Sequence, residues 1–214
     1  VDTTFILQIL KCCIMKNLLV LLVTILLGSI EINAQKIDDI SFISSYNDGV
    51  AAIKKDNQWA FINTEGKIVV DYRDDLVITN FEDYDYPVFN SGRCLIEEVK
   101  DGISYYGYID KEGNTIIQPQ YLNATNFENG LAIILELHKN ILGKNDVLDK
   151  KMIDYSYTES AINPNGKIVH FLSEKPTHIT LSKDYIKSPP EIKSKFISET
   201  LVAQKNGNRT WSIK

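Results

Sequence analysis

Two kinds of hydrophobic pattern alternate along the chain from about residue 37 onward. The first is an aromatic residue, two further residues, a glycine, and then a short apolar strand. It occurs as "YNDGVAAI" (Tyr46, Gly49), "FNSGRCLI" (Phe89, Gly92) and "FENGLAII" (Phe127, Gly130). A fourth form, "FISETLVAQ" from Phe196, lacks the glycine and carries one extra residue. The second is an aromatic-rich strand, a glycine turn and a second strand: "WAFINTEGKIVV", "YGYIDKEGNTII" and the eroded "ESAINPNGKIVH". In Trp59–Ile62 and Tyr106–Ile109 the period of two puts large aromatics on one face, with a small residue and isoleucine on the other.

The turns have their own chemistry. Asn63, Asp110 and Asn163 stand three residues before Gly66, Gly113 and Gly166, where the side chain can bond forward onto the turn backbone. The glycine then supplies the positive φ that closes a short hairpin loop with a bulge. Between the aromatics, Ala60 and Gly107 suit the close approach of a neighbouring backbone.

Gly66 and Gly113 are 47 residues apart, and Gly113 and Gly166 are 53 apart. Such periods mark stacked supersecondary units, none of which buries its apolar face alone. The predicted class is all-β: about four units of antiparallel hairpins and meanders in an open, twisted array. A propeller-like or barrel-like arc is the alternative. The third unit is stretched by a polar hairpin excursion near residues 137–157. The fourth opens where Pro189 and Phe196 echo Pro119 and Phe127, and its Trp211–Lys214 reads as an edge strand or as a sign that the sequence continues. A helix over Pro190–Gln204 competes there, because Ile192, Phe196 and Thr200 also fit helical spacing. Open sheet edges at the two ends need covering, either by a hairpin around Ile40–Phe42 or by the proline-rich segment before Phe196.

Taken together, the unit resembles the WG-repeat family, whose pattern runs F-x-x-G-L-A, a short turn, then W/Y-G-Y/F-I-D-x-x-G-x-x-V-I-x-P-x-Y. "FENGLA" and "YGYIDKEGNTIIQPQYLNATNF" follow it through Tyr106, Gly107, Tyr108, Ile109, Asp110, Gly113, Pro119, Tyr121, Ala124 and Phe127. The Trp-Gly pair itself is absent: Trp59 precedes Ala60, Trp211 precedes Ser212, and Glu159-Ser160 stand in the third unit. The resemblance implies an array of antiparallel hairpins in a bacterial, often exported protein with an interaction role.

Residues 1–34 stand apart from this grammar. Met15 and Lys16 open a charged start, an apolar run from Leu18 to Leu27, and a polar stretch to Ala34: the order of a secretory signal peptide cut before Gln35. The apolar run is about half the length of a membrane-spanning helix. Met15 reads as the initiator and residues 1–14 as a mis-extended start, leaving 35–214 as the exported repeat domain. Of the three cysteines only Cys94 lies in that domain, which excludes an internal disulfide framework; at the position of Ala51 and Ala132 it reads as a small buried strand residue, with a reactive or intermolecular thiol as the alternative.

Charge and motifs narrow the chemistry. The chain has 23 Lys+Arg against 28 Asp+Glu, a net charge of −5, which argues against nucleic acid as a partner. His138, His170 and His178 show no zinc spacing, and no phosphate-binding glycine loop or nucleophile elbow occurs. No cofactor, metal or catalytic residue is expected. "FEDYDY", with Glu82, Asp83 and Asp85, reads as a solvated acidic loop rather than a calcium site. The eleven tyrosines are the surplus: "DYDY" and "DYSY" put Tyr84 with Tyr86, and Tyr155 with Tyr157, on common strand faces. They form either a stacking platform for a glycan or peptide, or cross-strand pairs that stabilise the sheet. The expected function is a noncatalytic interaction module at the cell envelope with a protein or glycan ligand. A carboxylate-dependent hydrolase and a structural spacer are the alternatives.

Overall fold

The computed structural model describes residues 14–17, 37–80, 85–145, 149–198, 201–206 and 210–213. The chain divides into two compact units, Val1–Ile37 and Asp38–Lys214. In the first, residues 14–17 form an exposed helical turn; the expected signal peptide otherwise lies outside the described residues. Among the described residues no helix is long and apolar enough to cross a membrane.

The second unit is all-β in class, with 57% of the described residues in strands and almost no helix, in several small antiparallel sheets, none of them closed into a barrel. The first sheet holds β1 (Phe42–Ile43), β2 (Val50–Lys55), β3 (Gln58–Asn63) and β4 (Ile68–Arg73) in that order. A two-stranded pair, β5 (Thr79–Asn80) and β6 (Asp85–Tyr86), precedes the second sheet. That sheet is built from β7 (Phe89–Asn90), β8 (Arg93–Lys100), β9 (Ile103–Ile109) and β10 (Thr115–Tyr121). The third pairs β11 (Ala132–Asn145) with β12 (Lys150–Ile162), to which β13 (Ile168–Phe171) and β14 (Thr177–Ile179) both add. The last is β15 (Ser194–Phe196), β16 (Val202–Lys205) and β17 (Trp211–Ile213). The described residues of the stretch 137–157 lie in the outer parts of β11 and β12 and at the turn residue Asp149.

The core lies between consecutive sheets. Trp59, Phe61 and Val70 of the first sheet pack with Phe89, Cys94, Ile96 and Ile109 of the second. Tyr106, Tyr108 and Ile117 pack with Phe127, Ala132, Ile134 and Ile162, and Ile133 and Ala161 with Leu172 and Val202. The expected one-sided aromatics of β3 and β9 supply these layers. The second aromatic of each meets the phenylalanine that opens the next unit edge-on: Phe61 and Phe89 at 4.7 Å, Tyr108 and Phe127 at 4.8 Å between ring centroids. Such contacts contribute about 0.5–1.5 kcal/mol each beyond the area they bury.

The turns follow the sequence grammar. Asn63 Oδ1 accepts from the N–H of Glu65 and of Lys67 at 3.0 Å each, and Asp110 and Asn163 repeat the arrangement. The first submotif is a second kind of hairpin. Asp48-Gly49, Ser91-Gly92 and Asn129-Gly130 all have positive φ at both positions, as two-residue turns matching strand twist require. Gly107 sits where β10 bulges across β9. A Cβ there would lie 2.3 Å from Ile117 O and 2.7 Å from Pro119 N, so only glycine permits the crossing.

Over 190–204 strands β15 and β16 replace the helical alternative. The N–H groups of Lys193 and Ser194 donate to the buried carboxylate of Glu159 instead of to an intrahelical carbonyl. Trp211 takes the register place of Trp59, opposite a lysine of the preceding strand. It is 48% exposed where Trp59 is 5%, with Lys195 Nζ 4.7 Å from its ring centroid.

Candidate functional site

An open concavity is built by two turns and a strand that the fold brings together. Strands β8 and β9 are joined by Asp101-Gly102, a two-residue turn with φ of 53° and 76°. Strand β9 opens with the buried Ile103, and two residues on comes Tyr105, which alternation sends to the same side. Tyr155 of β12 stands between Lys139 of β11 and Ile179 of β14. Past β14 the chain turns at Ser182, whose carbonyl accepts the N–H groups of Tyr185 and Ile186 at 3.0 and 2.8 Å. That turn carries Leu181 and Lys183 to the rim. A Cβ at Gly102 would come within 3.1 Å of the Lys183 Cβ, so the bare glycine admits the lysine stem.

The resulting cleft holds about 580 Å³ and opens to solvent. Ile103 and Leu181 supply its apolar surface and belong to the cluster formed with Leu122, Leu135, Tyr105 and Tyr157. Tyr105 and Tyr155 supply rings and hydroxyls; Lys100, Asp101, Ser182 and Lys183 supply charge and hydrogen-bonding groups. Lys100 Nζ stands 5.8 Å from the Tyr105 ring centroid and is held there by Glu98 at 2.9 Å and Pro119 O at 3.2 Å. Burial pushes the Tyr105 phenol up, against the opposing pull of Lys100, so the hydroxyl stays a donor at neutral pH.

A smaller hollow of about 160 Å³ lies along the junction of the third and fourth sheets, lined by Tyr157, Glu159, Glu174, Glu191 and Lys193. Its innermost carboxylate is already engaged. Glu159 accepts from Ser194 Oγ at 2.6 Å, from Gln204 Nε2 at 3.3 Å, and from the N–H groups of Lys193 and Ser194. Glu191 is paired with Lys205 at 2.9 Å.

Of the four tyrosines singled out from the sequence, the three that are described lie in different places. Tyr155 lines the larger cleft and Tyr157 the smaller hollow. Tyr86 packs on Phe42 with ring centroids 5.6 Å apart, and Tyr84 lies outside the described residues. Tyr105, Gly102 and Lys183 were not legible as partners of Tyr155. The sequence signal was the Asp-Gly pair at 101–102, which places a tight turn beside Tyr105.

The remaining reactive side chains are arranged as follows. Cys94 is buried, and burial above all raises its thiol far above the usual range, although Arg73 opposes the shift. His178 Nδ1 lies 3.0 Å from Asp154 Oδ1, and His138 Nε2 lies 2.7 Å from Thr158 Oγ1. Among the described residues no group of three or more His, Cys, Asp or Glu side chains is gathered to hold a metal.

No curated protein and no solved structure matches the chain. The model of the WG containing repeat matches residues 37–59, covering β1, β2 and the start of β3, and residues 106–136, covering most of β9, β10 and the start of β11. In these two stretches, which include the Asp48-Gly49 turn and the Gly107 crossing, the chain carries the WG-type repeat.

Proposed function

We propose that the chain is a noncatalytic binding module of the cell envelope, exported by the segment that ends at Ala34. Its site is the cleft between Tyr105 and Tyr155, and its ligand is a short uncharged saccharide. The observation that carries this reading is the convergence of two tyrosines, from strands 50 residues apart in sequence, on one open concavity. Ring faces flanked by hydroxyls and by mixed charges suit a polyol, which offers apolar C–H faces and many hydroxyls. The balance of Lys100 and Lys183 against Asp101 and Glu98 gives little preference for a charged ligand.

Titration calorimetry against a panel of neutral oligosaccharides tests the reading. Tyr105→Ala and Tyr155→Ala are each expected to weaken binding by about tenfold or more, as loss of a stacked ring does. Saccharide binding that survives both substitutions, or a peptide that binds where no saccharide does, overturns it. Turnover of a bound saccharide would favour the hydrolase instead. Cell fractionation, with and without residues 15–34, tests export.

A further inference from the structure

The β11–β12 ribbon outruns its support. Strand β13 pairs with β12 at Ser160–Ile162, and β14 pairs with it at Tyr155–Tyr157. Beyond Asp154 and Asn140 no described strand flanks the two legs. The ribbon nevertheless continues in register to Asn145 and Lys150, with one irregularity between Ile141 and Gly143. At the usual rise this is an arm of about 17 Å.

A soluble two-stranded arm is expected to be polar, because nothing covers it and an isolated hairpin is marginal in water. Here its outer end carries four large apolar side chains in the open: Ile141 at 59%, Leu142 at 69%, Met152 at 48% and Ile153 at 39% exposure. Ile141 and Ile153 are cross-strand partners and share a face; Met152 lies opposite Gly143 on the other. The arm is therefore apolar on both sides, a wedge rather than a docking strip.

Lysines flank it. Lys139 and Lys151 are exposed and have no ion-pair partner among the described residues, while Lys144 pairs with Asp149. Residues 139–154 hold four lysines against three aspartates, in a chain whose net charge is −5. The edge also resists strand addition: Lys139, Lys144 and the irregularity at Leu142 are devices that blunt edge pairing. A second copy adding its own strand is thus disfavoured, whereas exposed apolar residues flanked by two lysines suit a bilayer interface.

We propose that the end of this ribbon is a membrane-contact tip. Ile141, Leu142, Met152 and Ile153 enter the boundary between head groups and acyl chains of a bilayer containing anionic lipid, and Lys139 and Lys151 meet the lipid phosphates. The ribbon lies in the interface and does not span it.

The test is co-sedimentation of the full chain with vesicles of phosphatidylcholine alone and with about 30% phosphatidylglycerol. The native chain is expected to bind the anionic vesicles more tightly, and less so as salt rises. Leu142→Glu with Met152→Glu is expected to lower partitioning by about tenfold or more. Lys139→Glu with Lys151→Glu is expected to abolish the preference for anionic lipid. Leu142→Ser with Met152→Ser serves if the glutamates disturb folding, which circular dichroism reports. Equal partitioning of native and substituted chains overturns the proposal, since residues 18–27 would then account for binding. Absence of vesicle binding overturns it too, as does self-association that depends on Leu142 in the absence of vesicles.

Discussion

The backbone N–H of Gly92 points at Oδ2 of Asp48 from 2.6 Å, tying the opening turn of the second unit to the opening turn of the first. One unit later the relation recurs, with the N–H of Gly130 3.1 Å from Ser91 Oγ. The residue before each glycine thus receives the glycine of the following unit. Asp48 also receives Lys111, at 2.9 Å on its carboxylate. Asp48→Ala removes the acceptor and leaves a β-carbon at φ 52° with no local compensation. The expected loss is about 2 kcal/mol, read by urea unfolding. Asp48→Asn keeps an acceptor and tolerates the backbone, so it should lose under about 1 kcal/mol. Equal losses would show that the inter-turn bond contributes nothing.

Gly107→Ala places a β-carbon against the main chain of Ile117 and Pro119, which cannot move as a flexible side chain would. The expected destabilisation is about 3 kcal/mol or more. The neighbouring sheet has Ala60 at the same step, so Ala60→Gly should cost only about 1 kcal/mol. A Gly107→Ala protein with native thermal stability would show that β10 does not cross as described.

Glu159 replaces the aromatic of the earlier units with a buried carboxylate that gathers the start of β15. Glu159→Ala strands the Ser194 hydroxyl and two backbone N–H groups, at a cost of about 3 kcal/mol. Hydrogen exchange should show the amides of β15 and β16 losing protection before those of β8 and β9. Uniform loss across all sheets would contradict a local clamp.

Of the three Asn/Asp-to-glycine turns, acid should act on the one that Asp110 closes. Burial pushes the Asp110 carboxyl up, but hydrogen bonds from Asn114 and Glu112 outweigh it and hold the group below its ordinary value of 3.8. A carboxyl lowered by folding contributes stability that is fully present above its unfolded value and is lost as pH falls through the folded one. The first and third units have Asn63 and Asn163 there, which do not titrate. The gap in melting temperature between the native chain and Asp110→Asn should therefore narrow below about pH 4. A gap constant from pH 7 to pH 2.5 would count against it.

What the sequence revealed was local. Asn63 with Gly66 and Asp110 with Gly113 announce their turns because side chain and glycine act within four residues of each other. Gly107 between two tyrosines announces a backbone crossing. Asp48-Gly49 and Asn129-Gly130 carried an equally local signal, a two-residue hairpin, which the more conspicuous aromatic-to-glycine spacing masked. The helical spacing of Ile192 and Phe196 misled because the deciding partner, the Glu159 carboxylate, is 35 residues from Ser194. The cleft was illegible for the same reason. Tyr105 and Tyr155 line one cleft whose rim the Ser182 turn completes by laying Lys183 against Gly102, and no short window of sequence holds all of these.

The links between turns also bear on how the chain finds its structure. Asp48 and Gly92 are 44 residues apart, Arg73 and Gly113 are 40 apart, and Ser91 and Gly130 are 39 apart. Each joint therefore closes a loop of similar, moderate length, and loop-closure entropy grows only slowly with length. None of these joints carries a markedly larger closure cost than another, so folding is expected to begin at either pair of sheets they join. A substitution at one joint should slow folding only along routes that begin there.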